Sequence, residues 1–240
     1  MVKELLGDLD RFCHAYPLEV ILTLNVPEPL DFEVAGFRFS VVLQHNATPQ
    51  GCGANHNQAF GLASGDFFCV LNPDIRVSAN PFPALMACLD NHSIGVAAPL
   101  VLNAEGVIED SARRFPTPLK IVCKALGVCR DIDYPISNSE VLPDWVGGMF
   151  LLFRRAVYQQ LGGFDQRYFL YYEDVDLCAR LGLSDLKVVL SPNARVVHNA
   201  QRTSRRKLKY LARHVQSMLR FFLSPVFWRV MWRKARKALA

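Results

Sequence analysis

The sequence lacks any uninterrupted apolar run of the roughly 18 to 20 residues that a membrane-spanning helix requires. Its opening, Met1-Val2-Lys3-Glu4, does not start a signal peptide, and we therefore expect a cytoplasmic protein. The sequence also lacks a CxxC pair, and its seven cysteines are an odd number. Both features argue against a disulfide framework and against a zinc site, so most of the cysteines are expected to be small core residues.

Acidic residues are absent from the last part of the chain. All 22 acidic residues occur up to Asp185, whereas residues 186–240 contain 14 basic residues and no acidic one. With 240 residues, of which 51% are apolar, the chain can bury one sizeable core. We expect one folded domain over residues 1–201, followed by a cationic tail over residues 202–240.

Hydrophobic patterning predicts helices and strands that alternate along the first two hundred residues. The predicted helices cover residues 5–12, 51–65, 81–89, 155–161 and 174–183. The predicted strands cover residues 19–24, 37–43, 67–71, 95–101, 146–153, 187–190 and 195–197. Residues 103–143 are less regular, and we expect loops that face an acceptor there. The alternation favours an α/β fold with helices on the faces of a sheet.

Three acidic residues, Glu173, Asp174 and Asp176, lie within four positions and follow a run of aromatic residues. Acids at the start of a helix commonly cap free amides and complement the helix dipole, which would explain one of them. Three acids among tyrosine and phenylalanine rings exceed that need, and the rings indicate a partly dry pocket. A carboxylate in such a pocket can act as a general base, so this segment is a candidate reaction centre.

Further candidate residues lie at or near predicted strands. Asn72-Pro73-Asp74 follows a buried strand, where ligands bind in open α/β sheets, although the same sequence is also ordinary turn chemistry. His198 follows the last predicted strand and can bind a metal or a phosphate, or it is simply a surface or core histidine. Gly147-Gly148 allows the backbone to approach a ligand closely, or forms a bulge. The residues alone leave these alternatives open.

Taken in order, these pieces resemble the family 2 glycosyltransferases with a GT-A fold, in particular their rhamnosyltransferase-like branch. The resemblance covers about residues 20 to 200, and the Asn-Pro-Asp turn combined with the Glu-Asp-Val-Asp segment is far more specific than either motif alone. It implies a mixed sheet with helices on both faces. The matching residues are Gly51, Asn57, Leu71-Asn72-Pro73-Asp74, Gly147-Gly148, Gly162-Gly163-Phe164-Asp165, Phe169-Leu170-Tyr171-Tyr172-Glu173-Asp174-Val175-Asp176-Leu177 and His198.

The resemblance implies a metal-dependent, inverting transfer of a deoxyhexose such as rhamnose, or of a hexose. The sugar would pass from a nucleotide-diphospho-sugar to a hydroxyl of a lipid-linked or surface glycan. Asp74, with His198, would hold Mg²⁺ or Mn²⁺ against the leaving diphosphate, and Asp174 would be the general base. Asn57 and Asn72 would bind the donor together with Asp74. The acceptor would be bound or positioned by Gly147, Gly148, Glu173 and Asp176.

The sequence departs from the family at its beginning. The family starts with a strand that ends in a Thr/Ser-Tyr-Asn-like motif, and nothing upstream of the first predicted helix supplies one. The next strand of the family ends in an acidic residue, whereas residues 21–25 offer only Asn25. We therefore expect the first strand to be missing and a central position of the sheet to be open.

Two alternative functions follow. A non-catalytic or impaired GT-A-like module would bind glycan or anionic membrane, and the missing strand is its main support. A glycosidase is disfavoured, because glycoside hydrolysis needs two carboxylates on opposite sides of the scissile bond, and adjacent acids on one helix turn do not provide them.

The basic tail is predicted to form amphipathic helices, interrupted at Pro225. Tryptophans among lysines and arginines suit an anionic bilayer, so we expect the tail to hold the protein at the inner face of the membrane. Docking on the acidic domain is an equal alternative for residues 204–222, and no recognition motif supports nucleic acid. The first helix would place Leu208, Leu211, Ala212, Val215, Leu219 and Phe222 on one face, with Arg205, Lys209, Arg213 and Arg220 elsewhere. The second would combine Phe227, Trp228, Met231 and Trp232 with Arg229, Arg233, Lys234, Arg236 and Lys237.

Overall fold

The computed structural model describes residues 1–27, 29–128, 132–199 and 208–239, and within these ranges the chain forms eight helices. The five helices predicted in the first two hundred residues are confirmed, with ends that shift by up to three residues. A further short helix, α4, lies in the region where only loops were expected. The helices are α1 (Val2–Phe12), α2 (Cys52–Leu62), α3 (Phe82–Leu89), α4 (Pro118–Ala125), α5 (Arg155–Gln160), α6 (Glu173–Leu183), α7 (Leu208–Phe222) and α8 (Pro225–Leu239).

Nine strands form three sheets within the same described ranges. They are β1 (Glu19–Leu24), β2 (Ser40–His45), β3 (Phe67–Leu71), β4 (Ile75–Arg76), β5 (Ile94–Leu102), β6 (Ala112–Arg113), β7 (Trp145–Val146), β8 (Phe150–Arg154) and β9 (Lys187–His198). The largest sheet has the order β3-β8-β5-β9-β4; β5 and β9 are parallel, and its other neighbours are antiparallel. β6 and β7 form a short antiparallel pair.

Some predicted strands differ from the observed ones. The strand predicted over residues 146–153 is split, because the chain leaves one sheet at Gly147-Gly148 and joins another at β8. The two strands predicted over residues 187–197 are one strand, β9, whose pairing with β5 has an irregularity at Pro99/Leu100. The strand predicted over residues 37–43 begins three residues later, and Phe37 and Phe39 instead stack on each other before it.

The five-stranded sheet separates two hydrophobic cores. Side chains alternate along β5, so that Val96, Ala98 and Leu100 face one core while Ala97 and Val101 face the other. Residues of α5, α6, α7 and α8 close the first core, and residues of α1 and α3 close the second. The predicted α/β fold with helices on both faces of a mixed sheet is therefore confirmed.

The N-terminal strands form a sheet of their own. β1 and β2 pair in parallel over six residues each, and β3 is the end strand of the five-stranded sheet. Among the described residues, no ladder of hydrogen bonds joins β1 or β2 to β3. Every residue of β1 is only half-buried, although the strand is mostly apolar. The missing first strand stays a prediction.

The C-terminal helices pack on the rest of the chain. Phe221, Phe227 and Val230 are buried in the first core. Arg233 pairs with Asp185, which joins α8 to the end of α6. Residues 208–222 thus dock on the rest of the chain, which was one of the two predicted alternatives. Arg205 lies outside the described residues. The division at residue 201 stays a prediction. None of the described helices combines the length and the apolar content needed to cross a bilayer.

Candidate active site

Asp174 lies in the first turn of α6, where two glycines bring the backbone against it. Tyr171 and Tyr172 precede the helix in left-handed conformations, with φ of 68° and 67°. Oδ2 of Asp174 accepts a hydrogen bond of 2.9 Å from Gly148 N–H, and Oδ1 accepts one of 2.8 Å from Val175 N–H. A Cβ on Gly148 would lie 3.3 Å from the Cβ of Asp174. The close approach therefore favours glycine at this position and fixes the carboxylate.

Burial governs the charge of the two adjacent acids. Burial raises the pKa of Asp174, whereas the hydrogen bonds from the Gly148 and Val175 amides and the charge of Arg113 lower it. Burial, together with the neighbouring Asp174 charge, raises the pKa of Glu173 to about 8. Oε2 of Glu173 has no hydrogen-bond partner among the described residues. A charge on Asp174 thus disfavours a second charge on Glu173, and the two amides stabilise the charge on Asp174.

Asp176 belongs to a different environment. Its buried carboxylate accepts a 2.7 Å hydrogen bond from Nε of Arg180, one helical turn later. The same guanidinium donates to the carbonyl oxygens of Leu161 and Gly163, at 2.7 and 2.8 Å. This ion pair ties α6 to the turn after α5. An acceptor role for Asp176 stays a prediction, and the observed bonds show the carboxylate holding the turn after α5 through Arg180.

Strand pairing brings Asp74 and His198 together. Ile75 of β4 pairs with His198 of β9, so the turn that follows β3 lies beside the end of β9. Nε2 of His198 is 3.2 Å from Oδ2 of Asp74, and its Nδ1 is 2.9 Å from Oε2 of Glu109. Hydrogen bonds to the two carboxylates raise the pKa of His198 to about 9. Glu109, which the sequence does not single out, contacts His198 because residues 102–109 fold back on the end of β5.

Asp74 and His198 fit a divalent cation in part. Oδ1 of Asp74 is buried and has no hydrogen-bond partner among the described residues. A carboxylate and a neutral imidazole are ordinary ligands of Mn²⁺, so His198 would release its proton on binding the metal. Mg²⁺ at such sites takes one or two carboxylates together with substrate phosphates. Within the described ranges, no three acidic, histidine or cysteine side chains are arranged to hold a metal. The protein would thus supply two ligands and the diphosphate the others.

The predicted donor ligands have different surroundings. Asn72 lines the same cleft as Asp174 and His198. Asn57 is instead engaged within the protein: its side chain donates to the carbonyl of Phe164, and its oxygen accepts from the Phe164 amide and the Tyr158 hydroxyl. Donor binding by Asn57 stays a prediction, and the observed bonds show the side chain holding the turn after α5.

A polar network missed by the sequence analysis lies at the ends of β1 and β2. Oδ1 of Asn25 accepts hydrogen bonds from the Gln50 amide at 2.8 Å and from the side chain of Asn46 at 2.9 Å. Asn46 also donates to Oδ1 of Asn55 on α2, at 2.8 Å. Asn25 was the one polar group expected here, and its partners, Asn46 and Gln50, come from the loop between β2 and α2. The network fixes the loop that leads into Gly51 and the start of α2.

One cleft of about 780 Å³ unites most of the candidate groups. Its walls include Asp174, the candidate base, and His198, the candidate metal ligand. Basic residues from the segment around α4 also line it. Tyr210, Leu211 and His214 of α7 close another side. The cleft is thus built from the sheet ends, α4, α6 and α7. The predicted site residues that it brings together are Asn72, Gly147, Gly148, Glu173, Asp174 and His198.

Solved structures share this architecture. A mannosyltransferase from Pyrobaculum calidifontis, in complex with GDP-Man and Mn²⁺, has a TM-score of 0.58 at 16% identity over 91% of this chain and 60% of its own. GalNAc-T7 with UDP, GalNAc and Mn²⁺ has a TM-score of 0.58 at 16% identity over 76% of this chain and 38% of its own. The chain has a GT-A fold. No protein-family model matches it.

Two curated relatives of this GT-A chain are rhamnosyltransferases. The N-acetylglucosaminyl-diphospho-decaprenol L-rhamnosyltransferase of Mycobacterium tuberculosis (strain H37Rv) is 34% identical over 163 residues, which is 63% of this chain and 53% of that protein. Rhamnosyltransferase WbbL of Escherichia coli (strain K12) is 28% identical over 183 residues, 71% of this chain and 69% of that protein. This chain thus spans about half the length of the mycobacterial relative. The resemblance to the rhamnosyltransferase-like branch is confirmed, and a non-catalytic module is not favoured.

Proposed function

We propose that this chain carries the catalytic site of an inverting glycosyltransferase. The enzyme moves rhamnose or another hexose from a nucleotide-diphospho-sugar to a hydroxyl of a lipid-linked or surface glycan. The observation that carries the proposal is the half-buried carboxylate of Asp174, fixed by two backbone amides, in the same cleft as His198, which lies next to Asp74. A base at one place in the cleft and charge-stabilising groups at another are what transfer with inversion requires.

The chemistry follows from the two ends of the cleft. Asp174 accepts the proton of the acceptor hydroxyl as its oxygen attacks the anomeric carbon, and the bond from that carbon to the diphosphate breaks. Burial raises the pKa of Asp174 and so makes the carboxylate a stronger base. Asp74 and His198 would hold Mg²⁺ or Mn²⁺, which supplies positive charge to the leaving diphosphate when bound. Burial and the Asp174 charge raise the pKa of Glu173, which disfavours a second negative charge beside the base.

Donor binding is tested by thermal unfolding in the presence of Mn²⁺ and each of UDP, GDP and dTDP. At least one nucleotide is expected to raise the melting temperature, because a ligand that binds only the folded state stabilises it. Asp74→Ala should abolish the rise. Asp90→Ala, at an exposed helix end, is the matched control and should keep it. A wild-type chain that responds to none of the nucleotides contradicts the proposed function.

The orientation of α7 is the basis on which we propose membrane association. Ser217 and Phe221 face the protein, and the hydroxyl of Ser217 donates to the carbonyl of Leu170 at 2.8 Å. The aliphatic stripe predicted from the sequence faces outward, with Leu208 84% and Leu211 58% exposed. Because the helix packs through another face, the stripe remains available for a lipid surface, where basic residues nearby would meet anionic headgroups. The same argument covers the exposed tryptophans of α8, Trp228 and Trp232.

Vesicle co-sedimentation tests this association. Wild-type protein is expected to sediment with vesicles of phosphatidylglycerol and phosphatidylcholine, and less with phosphatidylcholine alone. Replacing Trp228 and Trp232 by alanine should lower the bound fraction several-fold without lowering the melting temperature, because both side chains are mostly exposed. Exposed Leu62→Ala, on α2, is the control. Equal binding of wild type and double variant would argue against a lipid contact through α8.

A further inference from the structure

Four basic side chains cluster on one wall of the catalytic cleft. Arg113 and Arg114 come from β6 and the residue after it, while Lys120 and Lys124 lie on α4. Asp110 pairs with Arg113 at 3.0 Å, and Asp133 pairs with Lys120 at 2.5 Å. Among the described residues, neither Arg114 nor Lys124 forms an ion pair, and Arg114 lies over the ring of Tyr134. The wall therefore holds more positive charge than its own carboxylates neutralise.

This cationic wall, defined as Arg113, Arg114, Lys120 and Lys124, adjoins the proposed base. β6 pairs with β7, which runs directly into Gly147-Gly148, and the Gly147 amide donates to the carbonyl of Ser111 at 2.9 Å. Gly148 in turn holds Asp174. The charge of Arg113 lowers the pKa of Asp174, which places this guanidinium within electrostatic reach of the base. The cationic wall thus belongs to the side of the cleft from which the acceptor hydroxyl must reach Asp174.

Exposed aliphatic side chains flank the cationic wall. Thr117 caps the start of α4 through a 3.2 Å bond from the Lys120 amide, and the helix turns two basic residues toward the cleft. Leu119 of this helix is 74% exposed, and Leu126, which directly follows the helix, is 73% exposed. Leu211 of α7 both lines the cleft and is largely exposed. Two separate helices therefore present apolar surface beside the same positively charged opening.

We propose that the cationic wall binds the phosphate groups of an amphiphilic acceptor in which a diphosphate joins a sugar to a long hydrocarbon chain. This inference rests on the proposed function and assigns its acceptor to particular residues. Arg114 and Lys124, which lack a carboxylate partner within the described residues, supply the main contacts to the diphosphate. The hydrocarbon lies along the aliphatic side chains of α4 and α7, and the sugar reaches from the diphosphate to Asp174. A phosphate next to a hydrocarbon matches positive charge next to exposed aliphatics.

The donor diphosphate is a less suitable occupant of this wall. It must leave from the anomeric carbon on the side opposite the attacking hydroxyl, and Asp74 with His198 offers it a site near the ends of β3 and β9. The cationic wall is instead connected to Asp174 through β6, β7 and Gly148. Exposed aliphatic side chains would also serve no purpose for a nucleotide. The observations therefore favour a lipid-linked acceptor.

Calorimetric titration of the full chain with farnesyl diphosphate tests the proposal, in EDTA so that no metal bridges the ligand to Asp74. The double variant Arg114→Gln, Lys124→Gln is expected to bind at least about tenfold more weakly, because two charge-assisted contacts are lost. The exposed Lys187→Gln serves as control and should bind like wild type. Inorganic diphosphate should bind the wild-type chain about tenfold or more weakly than farnesyl diphosphate. A double variant that binds farnesyl diphosphate like wild type would overturn the proposal.

Two further measurements distinguish acceptor binding from donor binding, and contacts to the hydrocarbon from contacts to the phosphates. The melting-temperature rise with Mn²⁺ and nucleoside diphosphate should be unchanged in the double variant; its loss would assign the cationic wall to the donor and overturn the proposal. Leu119→Asn with Leu126→Asn should weaken binding of farnesyl diphosphate but not of inorganic diphosphate, and equal farnesyl diphosphate affinity would refute the hydrocarbon contact. A wild-type chain that binds farnesyl diphosphate but no nucleotide would instead reject the glycosyltransferase function alone.

Discussion

Asp174→Asn should remove transfer while preserving the fold and the donor site. Asparagine has the shape of aspartate but one acceptor oxygen in place of two. In the wild-type chain both oxygens accept, from Gly148 N–H at 2.9 Å and from Val175 N–H at 2.8 Å. The new amide group must therefore face one of these donors, which costs about 1 to 3 kcal/mol. Removal of the half-buried negative charge of Asp174 beside Glu173 offsets part of this cost, so the free energy of unfolding should fall only modestly.

The chemical effect of this substitution is larger. An amide cannot accept the proton of the acceptor hydroxyl, and a positioned general base typically contributes about 10²- to 10⁴-fold to the rate. We therefore expect acceptor-dependent release of nucleoside diphosphate to fall by about that factor. The melting-temperature rise with Mn²⁺ and nucleotide should persist, because Asp74 and His198 are unchanged.

A matched control lies nine residues earlier. Asp165→Asn removes a carboxylate whose partner, Arg167, is mostly exposed, so its effect on stability should be at most about 1 kcal/mol and transfer should continue. Both variants are compared by the rate of nucleoside diphosphate release and by thermal unfolding. Transfer by Asp174→Asn within threefold of the wild-type rate would refute the assignment of the base.

Three further outcomes follow from the packing. Asp176→Asn breaks a buried ion pair and should lower the free energy of unfolding by about 3 kcal/mol in urea titrations. The pKa of His198 is raised to about 9, so the stabilisation by its ion pairs is fully present below the pKa of the unfolded chain, near 6.5, and is lost as pH rises through about 9. Glu109→Gln should shift this loss to lower pH, because one of the two carboxylate partners is removed. NMR titration of the imidazole measures the shift. Gly163→Ala places a Cβ 2.2 Å from Oδ1 of Asn57 at φ 68°, and should lower the melting temperature by several degrees.

The sequence predicted the elements that rest on local signals. The buried strand β5 and the polar turn at Asn72-Pro73-Asp74 follow from a continuous apolar run and its punctuation, and both are present. The role of Asp176 was less accessible, although the arginine four residues later is a signal for an i,i+4 pair. Glu109 could not be found from its neighbours, because it meets His198 only through the folding back of residues 102–109, 89 positions away.

The orientation of α7 shows a second limit of sequence patterns. Helical spacing identifies the aliphatic stripe that contains Leu208 and Leu211, and it does not say which face of the helix packs. The packed face contains Ser217, whose hydroxyl donates to the carbonyl of Leu170, and Phe221, whose ring is buried in the first core. Which face of the helix packs depends on the surface of the domain that it meets, and that surface forms only in the folded chain.

The left-handed tyrosines before α6 make the active site dependent on a distant helix. A left-handed conformation costs a non-glycine residue roughly 1 to 2 kcal/mol, so Tyr171 and Tyr172 together hold about 2 to 4 kcal/mol of backbone strain directly beside Asp174. Both rings pack against His214 of α7, at 5.1 and 5.5 Å, and Tyr172 also packs against Phe221. The backbone conformation that leads into the proposed base is thus supported by side chains of a helix that lies some forty residues later in the chain.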